Sequence, residues 1–547
     1  MPRVELAKDQ MRELRESAQN AIGRNTQAGA RQAHLDQHAR ERRPLIAGDS
    51  DFDDSGSDDD EFSISAPGDA RPAGFRTEPV DKVMDDLPFG PFHRRVTALF
   101  GLAQCGFCMW ILLPVFTNSL YADRTALTRD QLALCSTAFF GGWAAATPPL
   151  SQVADKLGRR NMGLLYYALG ILVGIRTQYV TSFTALAATR AVLGGLCGGA
   201  ASVNYVWCTE LLPSSAVAWA TAMIASAYSV GFVFTAAAAY VVLEPMQNAT
   251  PADAQTLGFI CAILPSLYLG LALQYLDETP AWLVSVNRVD EAGDVVARCV
   301  ERNDSRTALP VRPFVLVAAA AGDGGGKDGG GGGGGGVSLW RGELFRQLMA
   351  LCFTWFGVTC AYYGLAFQAN KLPGSVYITA SVLSLADIPG NALYSAMAET
   401  PACGRRRTQT VLFLIGAAML LAMALVLLWQ QPPEQLDGSG NPLEPEAATL
   451  FSFVNACAVL GKLFMAAAFN GVYVYVVEIF PVEVRAGAMG VCNVAARVGG
   501  MFAPVIAELN VSVASIIFGM LALGAALTTA RVLPETRKGS EAEGSLP

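Results

Sequence analysis

Twelve separate stretches of about 20 mostly apolar residues run through this chain, and they constrain its fold more than any motif does. They fall at about 95–117, 131–151, 162–180, 183–206, 217–243, 256–276, 346–369, 374–397, 409–430, 449–477, 485–508 and 511–532. Backbone polar groups in lipid must be bonded within the spanning segment, so each stretch reads as a transmembrane helix. Of the 547 residues, 52% are hydrophobic and 16% charged, where a soluble chain would be about a quarter charged. The net charge of −8 supplies no positive field for nucleic acid. Most cysteines, Cys105, Cys135, Cys261 and Cys360 among them, lie inside apolar runs. There a thiol acts as a small buried hydrophobe, not as part of a disulfide framework. The expected fold class is an all-α membrane protein with 12 transmembrane helices.

The first 90 residues are polar and hold an acidic run from Asp49 to Glu61, so a disordered tail with no cleavable signal peptide is expected. Lysine and arginine orient the spans. With the N-terminus in the cytoplasm, the inner segments collect Arg94, Arg95, Lys156, Arg159, Arg160, Arg405, Arg406, Arg407, Arg485, Arg531, Arg537 and Lys538. The long connection between spans 6 and 7 adds more, from Arg288 to Arg346, whereas the outer side holds Arg124, Arg129, Arg176 and Lys371. Both termini are expected in the cytoplasm. The 6–7 connection contains an unbroken glycine tract, Gly329 to Gly336, which reads as a flexible linker. Its Gly322-to-Lys327 portion is no phosphate-binding loop, because Asp328 stands where Ser or Thr must hold magnesium. The expected organisation is a tail (1–90), an N-terminal six-helix bundle (91–280), a cytoplasmic linker (281–345), a C-terminal six-helix bundle (346–538) and a cytoplasmic tail (539–547).

The two halves repeat. Tyr205-Val206-Trp207-Cys208-Thr209-Glu210-Leu211-Leu212-Pro213 closes span 4, and Tyr473-Val474-Tyr475-Val476-Val477-Glu478-Ile479-Phe480-Pro481 closes span 10. Gly158-Arg159-Arg160 and Gly404-Arg405-Arg406 join the second and third spans of each half. Each half ends in Leu-x-Glu-Thr, at Leu276–Thr279 and Leu533–Thr536. Duplicated six-helix halves are the architecture of alternating-access carriers, with substrate held between them near mid-membrane. Asp155 suits a cap on the next helix or a partner for arginine. Glu210 and Glu478 emerge at the same inner face, where bridges to Arg159, Arg160, Arg405 and Arg406 would form a conformational latch. The plain alternative is that these arginines only signal topology.

Three motifs make the chain similar to the major facilitator superfamily: Asp155-x-x-Gly158-Arg159-Arg160, Arg190-x-x-x-Gly194 and Glu478-x-x-Pro481-x-x-x-Arg485. Within it the chain resembles the organic anion/cation transporter branch and its synaptic-vesicle-protein relatives. Ala361-Tyr362-Tyr363-Gly364-Leu365, Ala386-Asp387-Ile388-Pro389, Gly461-Lys462, Phe469-Asn470, Ala496-Arg497-Val498-Gly499 and Pro534-Glu535-Thr536 carry that resemblance, which covers residues 88–540. The sequence departs from the branch in lacking a large outer loop between spans 1 and 2. Val217 also stands at the arginine position of the first Glu-x-x-Pro-x-x-x-Arg copy, and Ala281 replaces an arginine after Glu278.

Ionisable groups at mid-membrane depth are expensive and default to functional candidates. Arg497 lies 12 residues beyond Arg485, about 18 Å at helical rise. Lys462, Arg190 and Asp387 are likewise intramembrane, and Asp387 is followed by Pro389 and Gly390, which can open the helix. Structural pairing, such as Asp387 with Lys462, is the alternative to a substrate role. The resemblance implies that arginine at position 497 marks an anion carrier and aspartate a cation carrier. A guanidinium there stays charged and binds carboxylates bidentately. The resemblance also places Tyr228, Tyr362 and Tyr363 on the central cavity, although Asn391 stands where several anion carriers have lysine.

The expected function is a secondary active (symporter or antiporter) or facilitative carrier of small organic ions, anionic in preference, with Asp387 as the candidate for coupling to a proton and a counter-ion as the other candidate partner. A sugar carrier of the same superfamily and a non-transporting membrane receptor or vesicle component are the rivals. No catalytic chemistry, cofactor or metal is expected, since His34, His38 and His93 all fall outside the predicted spans. Glu41, Leu45 and Ile46 fit an acidic dileucine pattern for sorting adaptors. The expected address is therefore the plasma membrane or a vacuolar or lysosomal membrane.

Overall fold

In the computed structural model, residues 76–124, 127–243, 250–303, 314–317, 339–400, 403–429 and 445–536 are described. The acidic tail, the dileucine pattern, the glycine tract, and Arg537 and Lys538 lie outside them. Twelve long helical spans occur among the described residues. Spans 1 to 6 are Pro91–Arg124, Arg129–Leu157, Arg159–Thr177, Phe183–Glu210, Ser214–Leu243 and Pro251–Tyr275. Spans 7 to 12 are Gly342–Phe367, Val376–Leu385 continued by Asp387–Glu399, Gly404–Trp429, Pro445–Ile479, Val482–Glu508 and Val511–Val532. Ten of these are long and apolar enough to cross a membrane by length and composition. Span 2 falls short because Ser136, Thr137, Gly141, Gly142, Trp143, Thr147, Pro148 and Pro149 dilute its apolar run, and the 19-residue span 3 because its ends carry Arg159, Arg160 and Arg176. The chain is an integral, multi-pass, all-α membrane protein built as two six-helix halves.

Local chemistry explains where the spans begin and bend. Thr128 and Gln131 form a reciprocal capping box that starts span 2. Pro251, at the first position of span 6, needs no N–H donor there. Span 8 breaks at Ala386 because Pro389 has no N–H for the Leu385 carbonyl. Span 1 begins earlier than the hydropathy suggests, so His93 is its third residue, fully buried and stacked on Phe89 at 5.5 Å. Spans 2 and 4 meet through glycine: a Cβ on Gly142 would overlap the Ala191 carbonyl, and one on Gly194 the Phe139 carbonyl. Such backbone proximity is how helices pack where lipid removes the hydrophobic drive between them.

Two helices, Pro280–Ser285 and Val289–Asn303, occupy the start of the segment expected to be a linker. The second buries Ala292, Val295, Val296, Cys299, Val300 and Asn303, an i, i+3, i+4 stripe. Asp277 clamps it through Arg298 at 3.2 Å and Arg302 at 2.9 Å. The indole N–H of Trp282 donates to the Asp155 carbonyl at 2.8 Å, and that of Trp207 to the Asp277 carbonyl at 2.9 Å. These bonds fasten the first part of the connection to spans 2 and 4. Two four-residue strands, Arg76–Pro79 and Phe314–Val317, pair with each other.

Candidate substrate site and the paired glycine-arginine turns

Four polar side chains converge from the middle of spans 5, 8 and 10 and from the last third of span 7. Asp387, the first residue after the break in span 8, is 4% exposed, and Lys462 of span 10 is 3% exposed. The Tyr362 hydroxyl donates to Asp387 Oδ2 at 2.6 Å, and the Ser229 hydroxyl donates to the same oxygen at 3.2 Å. Lys462 Nζ stands 3.9 Å from Oδ1, too far for a hydrogen bond. It donates instead to the Tyr362 carbonyl at 3.0 Å and sits 2.9 Å from the centroid of the Tyr362 ring. Tyr228, buried in span 5, has Tyr363, Cys108, Tyr362 and Asp387 as polar neighbours. Five of the candidates, Tyr228, Tyr362, Tyr363, Asp387 and Lys462, therefore share one cluster.

Arg497 lies beside this cluster, half-buried in the middle of span 11. Its guanidinium carbon is 4.4 Å from the centroid of a Trp143 ring in span 2. Tyr363 and Tyr473 are within its electrostatic reach, and Tyr363 packs on Phe140 at 5.0 Å. Among the described residues no carboxylate lies within ion-pair distance of Arg497. The guanidinium thus faces aromatic rings, with no carboxylate among the described residues to compensate its charge. Arg190 is elsewhere: it is buried in the first third of span 4 and donates to the Trp110 carbonyl at 3.2 Å.

Several contacts in this region join the two halves. Ser229 meets Asp387, Trp143 meets Arg497, and the Thr137 hydroxyl donates to the Met501 carbonyl at 2.7 Å. Towards the face away from Gly158, Tyr377 of span 8 stacks on Phe116 of span 1 at 5.9 Å and meets Tyr240 of span 5 edge-on at 5.6 Å. The structure therefore places the halves in contact at mid-span and towards that face.

At the other face the repeated motifs build the same device twice. Gly158 (φ 104°) and Gly404 (φ 65°) make the turns, using backbone conformations that favour glycine. Glu278 accepts from the Arg160 backbone N–H at 3.1 and 3.0 Å. Glu535 accepts from the Arg405 N–H at 2.7 Å and the Arg406 N–H at 3.1 Å. Each carboxylate thus occupies the N-terminus of the following span, where free N–H groups and the helix dipole favour negative charge. Burial raises the Glu278 carboxyl above its ordinary range, while the N–H groups of Thr279 and Arg160 pull it back.

Arg159 pairs with Asp155 at 3.1 Å and Glu210 at 3.3 Å. The Arg160 side chain bonds the carbonyls of Leu276 at 2.7 Å and Leu273 at 3.0 Å. In the other half Arg405 pairs with Glu478 at 3.1 Å, Glu478 also accepts from Thr536, and Arg485 donates to the Phe480 carbonyl at 3.2 Å. These pairs run within each half and set its turn. Ser229, Trp143, Asp277, Glu278 and Glu535 were not among the sequence candidates. The matched Leu-x-Glu-Thr ends were a signal for the two glutamates; no local pattern marked Ser229 or Trp143.

The family comparison agrees with this architecture. A model of the family "Sugar (and other) transporter" matches residues 116–543. The chain belongs to this family of the major facilitator superfamily and is a membrane transporter by that membership. It is 29% identical over 418 residues to "Solute carrier family 22 member 15-like" of Xenopus laevis, covering 76% of this chain and 78% of that one. It is 26% identical over 429 residues to "Solute carrier family 22 member 7" of Bos taurus, covering 77% and 72%. With "Organic cation transporter protein" of Drosophila melanogaster the identity is 25% over 408 residues, covering 72% and 69%. A solved inward-open structure of the xylose transporter XylE from E. coli aligns with TM-score 0.57 at 14% identity, covering 82% of this chain and 97% of that chain. The last of these shows the shared fold.

Proposed function

We propose that the protein carries small organic anions, carboxylates in preference, by rocking its two halves about the cluster at mid-span. The observation that carries this reading is Arg497. A half-buried guanidinium with no carboxylate partner among the described residues is suited to bind an incoming carboxylate through two parallel hydrogen bonds and to repel an organic cation. Trp143 and Tyr363 offer flat surfaces beside it for a planar substrate. Asp387 and Lys462 neutralise one another, so Arg497 sets the net charge that a substrate meets. The relatives named for organic cation transport and for solute carrier family 22 support an organic ion. With both termini in the cytoplasm, as the arginine distribution implies, the Phe116–Tyr377–Tyr240 contact faces outward and substrate would leave inward.

The test is uptake into liposomes by purified protein, using radiolabelled nicotinate, other monocarboxylates, dicarboxylates, quaternary amines and hexoses. Carboxylate uptake is expected in the wild type and its loss in Arg497→Asp, with the variant still correctly inserted. Unchanged carboxylate uptake by Arg497→Asp removes the residue from the site, and uptake of hexoses alone replaces the reading with a sugar carrier.

A further inference from the structure

Asp387 is the one carboxylate in the mid-span cluster, and its two oxygens are treated differently. Oδ2 accepts from Tyr362 and from Ser229, the latter donated by the opposite half. Oδ1 is buried and accepts no hydrogen bond, because Lys462 Nζ stops 3.9 Å away and bonds the Tyr362 carbonyl instead. A buried acceptor of this kind is costly to leave empty. A proton can settle on Oδ1 without displacing any donor. We propose that Asp387 is a proton-binding site through which anion movement is coupled to protons. This rests on the anion-carrier reading above.

The groups facing Asp387 fix the sign of the coupling. They are Lys462 of span 10, Tyr362 of span 7, Ser229 and Tyr228 of span 5, and Cys108 of span 1. With Asp387 ionised, its charge cancels that of Lys462, and Arg497 alone attracts substrate. When water on one side delivers a proton, an O–H bond forms at Oδ1 and Lys462 is left uncancelled. The site then holds one more net positive charge and binds an anion more tightly. Releasing the proton to the other side restores the Asp387–Lys462 balance and expels the anion. No electrons move, and one proton with one monovalent anion crosses without net charge. The same proton loosens the tie between halves, since the Ser229 bond to a carboxylate is stronger than one to a neutral carboxyl. Proton binding and the opening of the span 5–span 8 contact are thereby linked.

Two measurements on the full-length protein in lipid vesicles test this. Infrared titration needs no substrate. Acidifying the wild type should raise the carbonyl-stretch band of a protonated carboxyl, Asp387→Asn should lack that contribution, and Asp387→Glu should restore it at a shifted frequency. Arg497→Asp should keep it, which separates failure of the anion reading from failure of this one. The second measurement is accumulation of radiolabelled nicotinate under a gradient of about one pH unit, acid outside. One unit corresponds to a factor of about ten at equilibrium. The wild type should approach tenfold accumulation and acidify an internal pH dye, and nigericin should abolish both. Asp387→Asn should show no gradient-driven accumulation beyond that of protein-free vesicles. An infrared band unchanged in Asp387→Asn, or wild-type uptake indifferent to the gradient, overturns the proposal.

Discussion

Gly158 and Gly404 show what single residues do at the face of the paired turns. Both adopt positive φ, and a Cβ on either would run into a glutamate carboxylate, Glu278 or Glu535. A non-glycine residue at positive φ costs about 1–2 kcal/mol before any clash. Gly158→Ala and Gly404→Ala are therefore each expected to lower unfolding stability by about 1–3 kcal/mol, measured as a reduced melting temperature in detergent; an unchanged value would mean that the turn relaxes freely. Uptake should suffer less from these changes than from Arg497→Asp, because the turns lie a half-span away from the cluster. The arginines beside the glycines make most of their contacts with backbone carbonyls and carboxylates of their own half. They hold geometry first.

The elements divide the work differently. Span 8 is two helices joined at Ala386, and that joint sets Asp387 between Ser229 and Tyr362. The break follows from one proline, so its place was legible in the local sequence. The helix Val289–Asn303 shows the opposite case. Its apolar stripe repeats with helical period, yet the neighbouring glycine tract drew the whole segment into the reading of a linker. The stripe is buried, with Val295 at 2% and Val296 at 1% exposure. Val296→Asp should detach this helix, since a carboxylate buried without a partner is strongly unfavourable. Faster limited proteolysis between residues 280 and 303, with the spans left intact, is the expected result. Equal cleavage rates would mean that Asp277, Arg298 and Arg302 hold the helix without its apolar stripe.

For the whole molecule, the contacts between halves decide how it works. Thr137 and Met501 touch across the interface, and the proposed rocking of the two halves requires them to part. Thr137→Cys combined with Met501→Cys, oxidised to a cross-link, should reduce uptake to background, and a reducing agent should restore it. Full uptake by the cross-linked protein would rule out separation of spans 2 and 11. The hydrophobic runs, the repeated Gly-Arg-Arg and Glu-x-x-Pro motifs and the arginine distribution were enough to specify an all-α membrane protein of two six-helix halves. Each of those properties is local to one span or one turn, so a linear reading reaches it. The intramembrane charges were equally visible one by one. Their partners were not. Asp387 and Lys462 are 75 positions apart and Ser229 is in the other half, so the meeting of these three, and the pairing of Arg497 with Trp143 in place of an acid, depended on how spans from both halves pack. Charge in a membrane takes its role from its neighbours, because there is no water to screen it, and only the tertiary structure brings those neighbours together.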